Sequence, residues 1–279
     1  MPVNASGRTG LLSPEPTTTG ALAGEFGVRE VTPVDNSILS ALPPSTLARL
    51  LPLLRPVELK HRQILQESHR PVERVYFIQR GMAVLFARTK RDGEVGVAMI
   101  GRAGVVGVPD VLGTMRSFHR CLMQVPGEAL QIDAHDLRHA VDESPALRQQ
   151  MMNFIQALVL QHSQTALCNA RHRLDERLAR WLLLAHDRLE DDTIPLTHDL
   201  LSMMLGVRRA GITTALERLQ RSGAVRKARG AVEIVDRTLI EQRTCDCYRV
   251  IATEYQRLVD FPRFDHLPEP HGNHLASAD

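Results

Sequence analysis

The 279-residue sequence contains few aromatic residues, which make up 4% of the chain, and few cysteines. Its four cysteines, Cys121, Cys168, Cys245 and Cys247, are too sparse to form the disulfide framework of a small secreted domain. No uninterrupted apolar stretch approaches the roughly 20 residues that a membrane span needs. The N-terminus also lacks the basic start and apolar run of a secretory signal. These absences favour a cytoplasmic protein without a membrane partner.

The motifs of common enzyme classes are absent as well. The sequence contains no GxGxxG or GxxxxGK[ST] loop to hold phosphates, no HExxH metal motif and no GxSxG nucleophile motif. Scattered Asp, His and Ser residues cannot be assembled into an active site from their order alone. We therefore predict no catalytic residues, no bound metal and no cofactor, and a protein that is not an enzyme.

Positive charge is concentrated locally, although the net charge of the chain is only +2. Residues 205–230 contain seven basic residues and one acidic residue, Glu217. The basic residues are Arg208, Arg209, Arg218, Arg221, Arg226, Lys227 and Arg229. A local excess of this kind suits a surface that faces phosphates. By itself it is also compatible with an ordinary solvated surface, so it needs a motif beside it.

Residues 57–134 have the pattern of short strands separated by turns. Apolar runs at 74–78, 82–87 and 95–100 alternate with glycines, and Asp92-Gly93 between the last two predicts a hairpin. A further pair of strands flanks Pro126-Gly127. Turns every 8–12 residues predict an antiparallel barrel or sandwich. Residues 1–30 and 261–279 are predicted to be tails, the first of them disordered because it is rich in Pro, Gly, Ser and Thr.

Helices are predicted to follow the strands. Residues 146–172 contain no Pro or Gly and carry an unusually broad apolar surface, which suits either a subunit interface or packing on the chain's own barrel. A second helix carries Leu174, Leu178, Trp181, Leu182, Ala185 and Leu189 on one face. Because strands precede helices, the fold class is predicted to be α+β with segregated layers.

Residues 197–219 have the pattern of a helix-turn-helix. Thr197 is a candidate N-cap, Gly206 supplies the sharp turn, and apolar residues lie on the inner face of both helices. Beyond Ser222-Gly223, residues 225–227 and 232–235 predict a small basic hairpin, the wing. The outer face and wing predict a DNA-contacting set. Its members are Thr197, Arg208, Arg209, Thr213, Thr214, Arg218, Arg221, Lys227 and Arg229.

With these parts in place, residues 36–258 resemble the Crp/Fnr family of bacterial regulators. The best-matched parts are the winged motif and the strand block at residues 75–86. The resemblance implies a cyclic-nucleotide-binding-like β-roll at 31–145, a dimerisation helix at 146–172 and a winged helix-turn-helix domain at 173–260. It also implies a homodimer on a near-palindromic site, with RNA polymerase as a further partner. The predicted dimer interface contains Met151, Phe154, Ile155 and Leu158.

The sequence departs from the family where an effector would bind. The family's cyclic-nucleotide binders place Gly-Glu on the ribose and Arg-Ser or Arg-Thr on the phosphate, whereas this chain has Gly107-Val108. Arg116 and Arg120 are loose candidates for the phosphate contact. Ordinary cyclic AMP binding is therefore not expected, and the effector is unknown. An iron–sulfur cluster like that of the oxygen sensors is not expected either, because no cysteine precedes Cys121.

Two interpretations compete with a DNA-binding regulator. In the first, the chain is a signalling module, responsive to a small molecule or cyclic nucleotide, whose winged domain contacts a protein. It predicts weak, salt-insensitive retention of DNA. The second, an enzyme, has no motif in its favour. For Cys245 and Cys247, the single intervening residue does not place both thiols on one helical face, which favours a structural role over a metal or redox role.

Overall fold

The computed structural model describes residues 34–91, 93–189 and 191–259. The predicted tails, 1–30 and 261–279, lie outside these residues, as do Asp92 and Glu190. The strands of the described chain are β1 Arg55–Leu59, β2 Ile64–Gln66, β3 Arg74–Ile78, β4 Met82–Thr89, β5 Gly93–Ile100, β6 Val105–Val106, β7 Arg120–Val125, β8 Gly127–Asp133, β9 Thr193–Pro195, β10 Val225–Ala228 and β11 Ala231–Ile234. The helices are α1 Ser37–Ser40, α2 Pro44–Leu50, α3 Val108–Val111, α4 Ala134–Glu143, α5 Pro145–Arg171, α6 Leu174–His186, α7 His198–Leu205, α8 Arg209–Arg221, α9 Arg237–Glu241 and α10 Cys247–Val259, with a 3-10 turn at Leu51–Leu53.

The first eight strands form a β-roll of two four-stranded antiparallel sheets. Their orders are β1-β8-β3-β6 and β2-β7-β4-β5. The predicted hairpin is confirmed, because β4 pairs with β5 from Ala83 opposite Ile100 to Thr89 opposite Gly93. The two strands beside Pro126 do not pair with each other. Strand β7 pairs with β2 and β4, whereas β8 pairs with β1 and β3, so the chain changes sheets at this proline.

The β-roll core explains why its strands are nearly continuous apolar runs. Four of the five residues of β3 and the first five residues of β4 are buried, so both faces of these strands are shielded from water. The largest fully buried side chains include Phe77, Ile78, Met82, Phe86 and Met123. The predicted α+β fold class agrees with this architecture, although the short helices α1 and α2 precede β1 and the short strands β9, β10 and β11 follow α6.

The long predicted helix is present as α5, 27 residues from Pro145 to Arg171. Ser144 caps it by accepting a hydrogen bond from the Leu147 backbone N–H at 3.3 Å, and Pro145 occupies the first turn, where its missing N–H costs nothing. The helix packs against β5 on one side and along α10 on another. Helix α4 was not predicted, although Ala134, Leu137 and Val141 have helical spacing and are buried. No helix in the described ranges is long and apolar enough to cross a membrane.

A buried ion pair joins three elements of the C-terminal half. Asp187, immediately after α6, is 1% exposed and accepts from Arg237 of α9 at 2.9 Å and from the Tyr248 hydroxyl of α10 at 3.1 Å. Burial raises the pKa of the Asp187 carboxyl, and the positive charge of Arg237 opposes that effect. Removing Arg237 would leave the Asp187 carboxylate buried without the cation that pairs with it, so this cluster helps to fix how α9 and α10 sit on α6.

Candidate nucleic-acid interface

The first helix of the predicted motif, α7, has the caps that its sequence predicts. Thr197 accepts a hydrogen bond from the Leu200 backbone N–H at 3.2 Å, which confirms it as the N-cap. Gly206 ends the helix in the left-handed conformation, with φ 62° and ψ 38°. A residue with a Cβ adopts this conformation only at a cost, which explains the glycine at the turn. The Ser202 hydroxyl donates to the Val207 carbonyl and closes the turn.

The second helix, α8, seals the domain with its inner face. Ile212, Ala215, Leu216 and Leu219 are all buried. Gly211 also faces inward, since a Cβ at this position would lie 3.1 Å from Leu174 Cδ2 of α6. The glycine is therefore explained by close packing of α8 on α6.

The outer face of α8 carries exposed cations. The side chains of Arg209 and Arg218 are 66% and 54% exposed, and Arg208, Thr214 and Arg221 are exposed as well. Thr213 is half-buried, and its hydroxyl lies 3.1 Å from His198 Nδ1. The cationic side chains are therefore available to a partner, as the sequence predicts. The helix presents them on the face opposite its apolar side.

Acidic neighbours pair with three cations of the predicted DNA-contacting set, two on α8 and one on the wing, and these pairs were not predicted from the sequence. Arg209 lies 3.1 Å from Asp199 Oδ1 at the start of α7, and Arg218 lies 2.7 Å from Asp175 Oδ2 of α6. Lys227 Nζ lies 3.9 Å from Glu217 Oε1. Exposed pairs of this kind are worth only about 0–1 kcal/mol, so they orient the cations without sequestering them.

The wing is a three-stranded sheet. The predicted hairpin is present as β10 and β11, which pair from Val225 opposite Ile234 to Ala228 opposite Ala231. Strand β9, which was not predicted, adds to the other edge of β11. Arg229 is exposed in the tight turn, whereas Arg226 pairs with Glu233 across the hairpin at 3.1 Å. The wing therefore places Lys227 beside α8, near Glu217, and leaves Arg229 exposed in its turn.

Helix α7 also packs on the β-roll, against β5. Gly96 makes this contact possible, because a Cβ there would collide with the Met204 side chain. A Cβ on Gly206 would lie 3.3 Å from Val95 Cγ2. The helix-turn-helix and the β4–β5 hairpin are therefore in direct contact, with the turn of the motif at the contact.

A second candidate site is a cavity of about 270 Å³ between the β-roll and α5. Two of the four predicted effector residues, Gly107 and Val108, line it, together with Leu112, Phe118 and Leu158. Its titratable lining groups are His119 and His162, whose rings stack with centroids 5.4 Å apart. Burial lowers the pKa of both rings, and the charge of His162 lowers that of His119 further. The cavity is therefore largely apolar and uncharged at neutral pH.

The other two predicted effector residues, Arg116 and Arg120, do not line this cavity. Arg120 is held by two carboxylates, with Nε 3.4 Å from Glu67 Oε2 and Nη1 3.2 Å from Glu94 Oε1. Arg116 is exposed and lies in a backbone bridge with Pro71. Neither arginine is positioned to neutralise a phosphate in the cavity.

The predicted interface residues of α5 are mostly buried within the chain itself. Met151, Phe154 and Leu158 are buried, and Ile155 is half-buried. The large apolar side chains that α5 leaves exposed are Met152, Val159 and Leu167. Most of the broad apolar surface of α5 therefore packs against the chain's own β-roll and α10. The exposed residues Met152, Val159 and Leu167 form a remaining outward stripe.

One group of side chains could hold a metal ion: Cys168 and His172 at the end of α5, with Cys245 and Cys247 at the start of α10. Sequence reasoning missed this group because 77 residues separate Cys168 from Cys245. The Cys245-x-Cys247 spacing indicates two of the four residues, but it does not identify Cys168 or His172.

Comparison with known proteins identifies the helix-turn-helix region. Residues 176–243 match the family model of the Crp-like helix-turn-helix domain. The "Global nitrogen regulator" of Synechocystis sp. is 27% identical over 166 residues, which cover 56% of this chain and 73% of that protein. The region matched by the family model, residues 176–243, contains α7, α8 and the wing, and the exposed cations lie on these elements.

Solved structures share the overall fold. The c-di-GMP responsive global regulator CLP of Xanthomonas campestris superposes with a TM-score of 0.59 at 16% identity, covering 70% of this chain and 100% of that one. A transcriptional regulator of the CRP/FNR family from Thermus thermophilus gives a TM-score of 0.56 at 17% identity, covering 68% and 97%. Residues 176–243 thus form a Crp-like helix-turn-helix domain, and the chain shares with these solved structures a fold in which a β-roll, a long helix and a winged region follow one another.

Proposed function

We propose that the chain is a homodimeric, sequence-specific regulator that reads duplex DNA with the outer face of α8 and the wing. One observation carries this proposal: α8 buries its apolar face completely and leaves Arg209 and Arg218 more than half exposed on the other side. The proposed contact set is the one that the sequence predicts. It contains Thr197, Arg208, Arg209, Thr213, Thr214, Arg218, Arg221, Lys227 and Arg229.

Base recognition is assigned to the N-terminal end of α8. Arg209 occupies the first turn, where a guanidinium can donate to both O6 and N7 of guanine in the major groove. The exposed ion pair between Arg209 and Asp199 is worth about 0–1 kcal/mol, whereas a bidentate contact with guanine is worth about 1–3 kcal/mol. Arg209 would therefore gain free energy by leaving Asp199 for the base. Ala210, which follows, has no acceptor for a cytosine amino group. The half-site should therefore differ there from that of family members with an acid at this position.

Phosphate contacts are assigned to the far end of α8 and to the wing. Arg218 and Arg221 lie in the last turn of the helix, and Lys227 and Arg229 lie on the hairpin beside it. They lie away from the N-terminal turn of α8 that is assigned to the bases, so their charges are assigned to the backbone phosphates. They would supply the salt-dependent, sequence-independent share of the affinity.

A homodimer would be formed through the outward stripe of α5. Exposed Met152 and Val159, with half-buried Ile155, lie on one side of that helix, and Phe118 of the β-roll is exposed nearby at the rim of the cavity. A twofold axis along α5 would direct two copies of α8 into successive major grooves about 34 Å apart, on a near-palindromic site. RNA polymerase is a further proposed partner, and the cytoplasm, where bacterial DNA lies, is the proposed location.

The proposed effector site is the cavity, and its chemistry favours an uncharged, mainly apolar ligand. A cyclic nucleotide would bring a phosphodiester, and no Arg or Lys lines the cavity to receive it. Because His119 and His162 are neutral at physiological pH, they do not replace that cation. Ordinary cyclic AMP binding is therefore not proposed, and the c-di-GMP response of the regulator CLP is not carried over to this cavity.

In vitro selection from a random duplex library tests the DNA-binding proposal. Full-length protein should enrich an inverted repeat whose half-sites are centred about 10 base pairs apart. Arg209→Ala should relax the preference at one position of each half-site. Failure to enrich any motif, with weak and salt-insensitive retention of all duplexes, would favour the protein-contacting alternative. Sedimentation showing a monomer at micromolar concentration would remove the dimer and the palindrome.

A further inference from the structure

Four potential metal ligands converge where the long helix ends. Cys168 lies in the last turn of α5, and His172 caps that helix. Cys245 lies just before α10, and Cys247 is the first residue of α10. Their ligand atoms, three Sγ and one ring nitrogen, all lie within 4.8 Å of one another. Two parts of the chain that are distant in sequence thus supply two ligands each.

We propose that Cys168, His172, Cys245 and Cys247 form a tetrahedral Zn²⁺ site that fastens α10 to the end of α5. Zinc bonds of about 2.3 Å to sulfur and about 2.0–2.1 Å to nitrogen give tetrahedral edges of roughly 3.5–3.8 Å. The Cys168 and Cys245 Sγ atoms are 3.5 Å apart, and Cys247 Sγ lies 3.5 Å from His172 Nδ1. Four protein ligands leave no open position, which is typical of a structural rather than a catalytic zinc site.

A buried arginine beside the cluster supplies an independent argument. Arg180 of α6 is 4% exposed and donates a hydrogen bond to Thr165 Oγ1 at 3.3 Å. Its Nε has no hydrogen-bond partner, and within the described part of the chain Arg180 forms no ion pair with a carboxylate. An uncompensated guanidinium in the interior is costly.

Zinc coordination would supply the missing negative charge. Three thiolates, one neutral imidazole and Zn²⁺ sum to a charge of −1, which the +1 of Arg180 balances. Arg180 is close enough to interact electrostatically with both Cys168 and Cys247. The zinc site therefore accounts for the burial of this cation, which neutral thiols would leave without a counter-charge.

Other uses of these thiols fit the arrangement less well. A disulfide between Cys168 and Cys245 would leave Cys247 beside His172 without a role. An iron–sulfur cluster is usually held by four cysteines, and its several atoms keep the ligands further apart than a single ion does. The mixed Cys₃His set and the close approach of the ligands both favour one zinc ion.

The location of the site gives it a mechanical consequence. Helix α5 ends at Arg171, and α6, the first helix of the winged region, begins only two residues beyond His172. A metal that holds His172 and Cys168 to α10 therefore fixes the direction in which the winged region leaves the long helix. This role does not depend on which DNA sequence, if any, the protein binds.

Metal analysis of the full-length protein tests the proposal. The chain, purified in reducing buffer without chelator and without a polyhistidine tag, should contain one zinc per chain by inductively coupled plasma mass spectrometry. Metal-free protein titrated with Co²⁺ should develop thiolate-to-cobalt charge-transfer absorption and the intense visible bands of tetrahedral cobalt. Cys247→Ala should abolish stoichiometric zinc and these bands. The matched control Cys121→Ala, at a buried cysteine of β7 outside the cluster, should keep both.

Three outcomes would overturn the zinc site. They are a reduced protein that holds no stoichiometric metal and gives no tetrahedral cobalt spectrum, a purified protein that contains iron and acid-labile sulfide, and a Cys168–Cys245 disulfide found by peptide mass spectrometry in protein that lacks metal. The first decides the matter from the unaltered chain, so misfolding of a variant cannot obscure it. Retention of the cobalt bands by Cys247→Ala would equally contradict the proposed ligand set.

Discussion

The outer face of α8 and the cavity behind α5 are chemical opposites. Exposed guanidinium groups such as that of Arg209 crowd the first, whereas the second is lined by apolar side chains and two histidines that burial keeps neutral. A polyanion would be attracted to one surface, and the other offers no charge to any anion. Under the proposed function, DNA binding would therefore depend on charge, whereas effector binding would depend on apolar contact.

The contrast also defines what each kind of mutation should change. Exposed charges contribute little to folding because water and salt screen them, so their removal should affect binding alone. Buried apolar side chains contribute to folding through their burial, so their truncation should affect stability first. Four experiments, from the largest expected effect to the smallest, test this separation.

Truncation of Leu158 to alanine should produce the largest effect. This residue of α5 is 7% exposed and lines the cavity, so Leu158→Ala should lower the free energy of unfolding by about 2–5 kcal/mol in chemical denaturation. The matched control is Val235→Ala, at a side chain that is 50% exposed and lies outside both α5 and the cavity, and it should cost about 0.5 kcal/mol or less. Equal losses in the two variants would mean that the described packing of α5 is incorrect.

Removal of the Arg209 guanidinium should weaken DNA binding without destabilising the fold. Arg209→Ala should cost about 1–3 kcal/mol of affinity for the selected duplex in a gel-shift titration, with the unfolding midpoint unchanged. Arg49→Ala is the control, because Arg49 is also an exposed arginine in a surface pair, 2.8 Å from Glu143, but lies on α2. If both variants bind DNA like the unaltered protein, the assignment of base contacts to α8 is wrong.

Removal of the Lys227 ammonium should weaken all duplexes by a similar, smaller factor. If Lys227 neutralises one phosphate, Lys227→Ala should reduce the slope of log affinity against log salt by about 0.9. Titrations at several salt concentrations measure this slope, with Lys60→Ala of the β-roll as control. An unchanged slope would exclude Lys227 from the phosphate contacts, and a loss confined to one sequence would assign it to a base instead.

Acidification should weaken the fold through the cavity histidines. Burial lowers the folded-state pKa of His119 and His162 below the value of about 6.5 in the unfolded chain, so the unfolded state binds more protons. Their contribution is therefore fully present above about pH 6.5 and is lost as the pH falls towards the folded-state pKa. Urea denaturation at about pH 7.5 and about pH 5.5 should show this loss.

The matched variants separate the cavity from the surface in this pH experiment. His162→Gln should reduce the difference between the two pH values, because one buried imidazole no longer titrates. His135→Gln, at a histidine whose side chain is 83% exposed, should leave it unchanged. An unreduced difference in His162→Gln would show that other groups cause the pH dependence.

The helix-turn-helix was predictable because its determinants are local. Thr197 accepts its capping hydrogen bond from Leu200, only three residues further along, and Gly206 can adopt the left-handed conformation because it has no Cβ. The apolar residues of α8 recur with the 3.6-residue period of an α-helix. The strands of the β-roll were predictable for the same reason, with β3 confirmed residue for residue at Arg74–Ile78. The pattern does not show which strands pair with each other. The sequence predicts β7 and β8 as a pair of strands, whereas in the structure they belong to different sheets.

The predicted sites had mixed outcomes for one physical reason. Gly107 and Val108 do line the cavity, but Arg120 is drawn away by Glu67 and Glu94, residues 53 and 26 positions distant whose proximity the sequence does not reveal. The stripe of Met151, Phe154 and Leu158 is apolar for packing, and periodicity alone cannot say whether the neighbour is the same chain or another. The assignment of individual residues to DNA contacts and to the dimer interface stays a prediction.

The sequence by itself determined the order of the elements, the sharp turn at Gly206 and the cationic side of α8, because each depends on residues within a few positions of one another. Only the tertiary structure decided which strands share a sheet, what α5 buries, and that Cys168 and His172 meet Cys245 and Cys247. These contacts join segments that are many tens of residues apart in the sequence. The segments meet because they bury their apolar side chains in the same core. The pattern of residues along one segment does not show which distant segment it will contact.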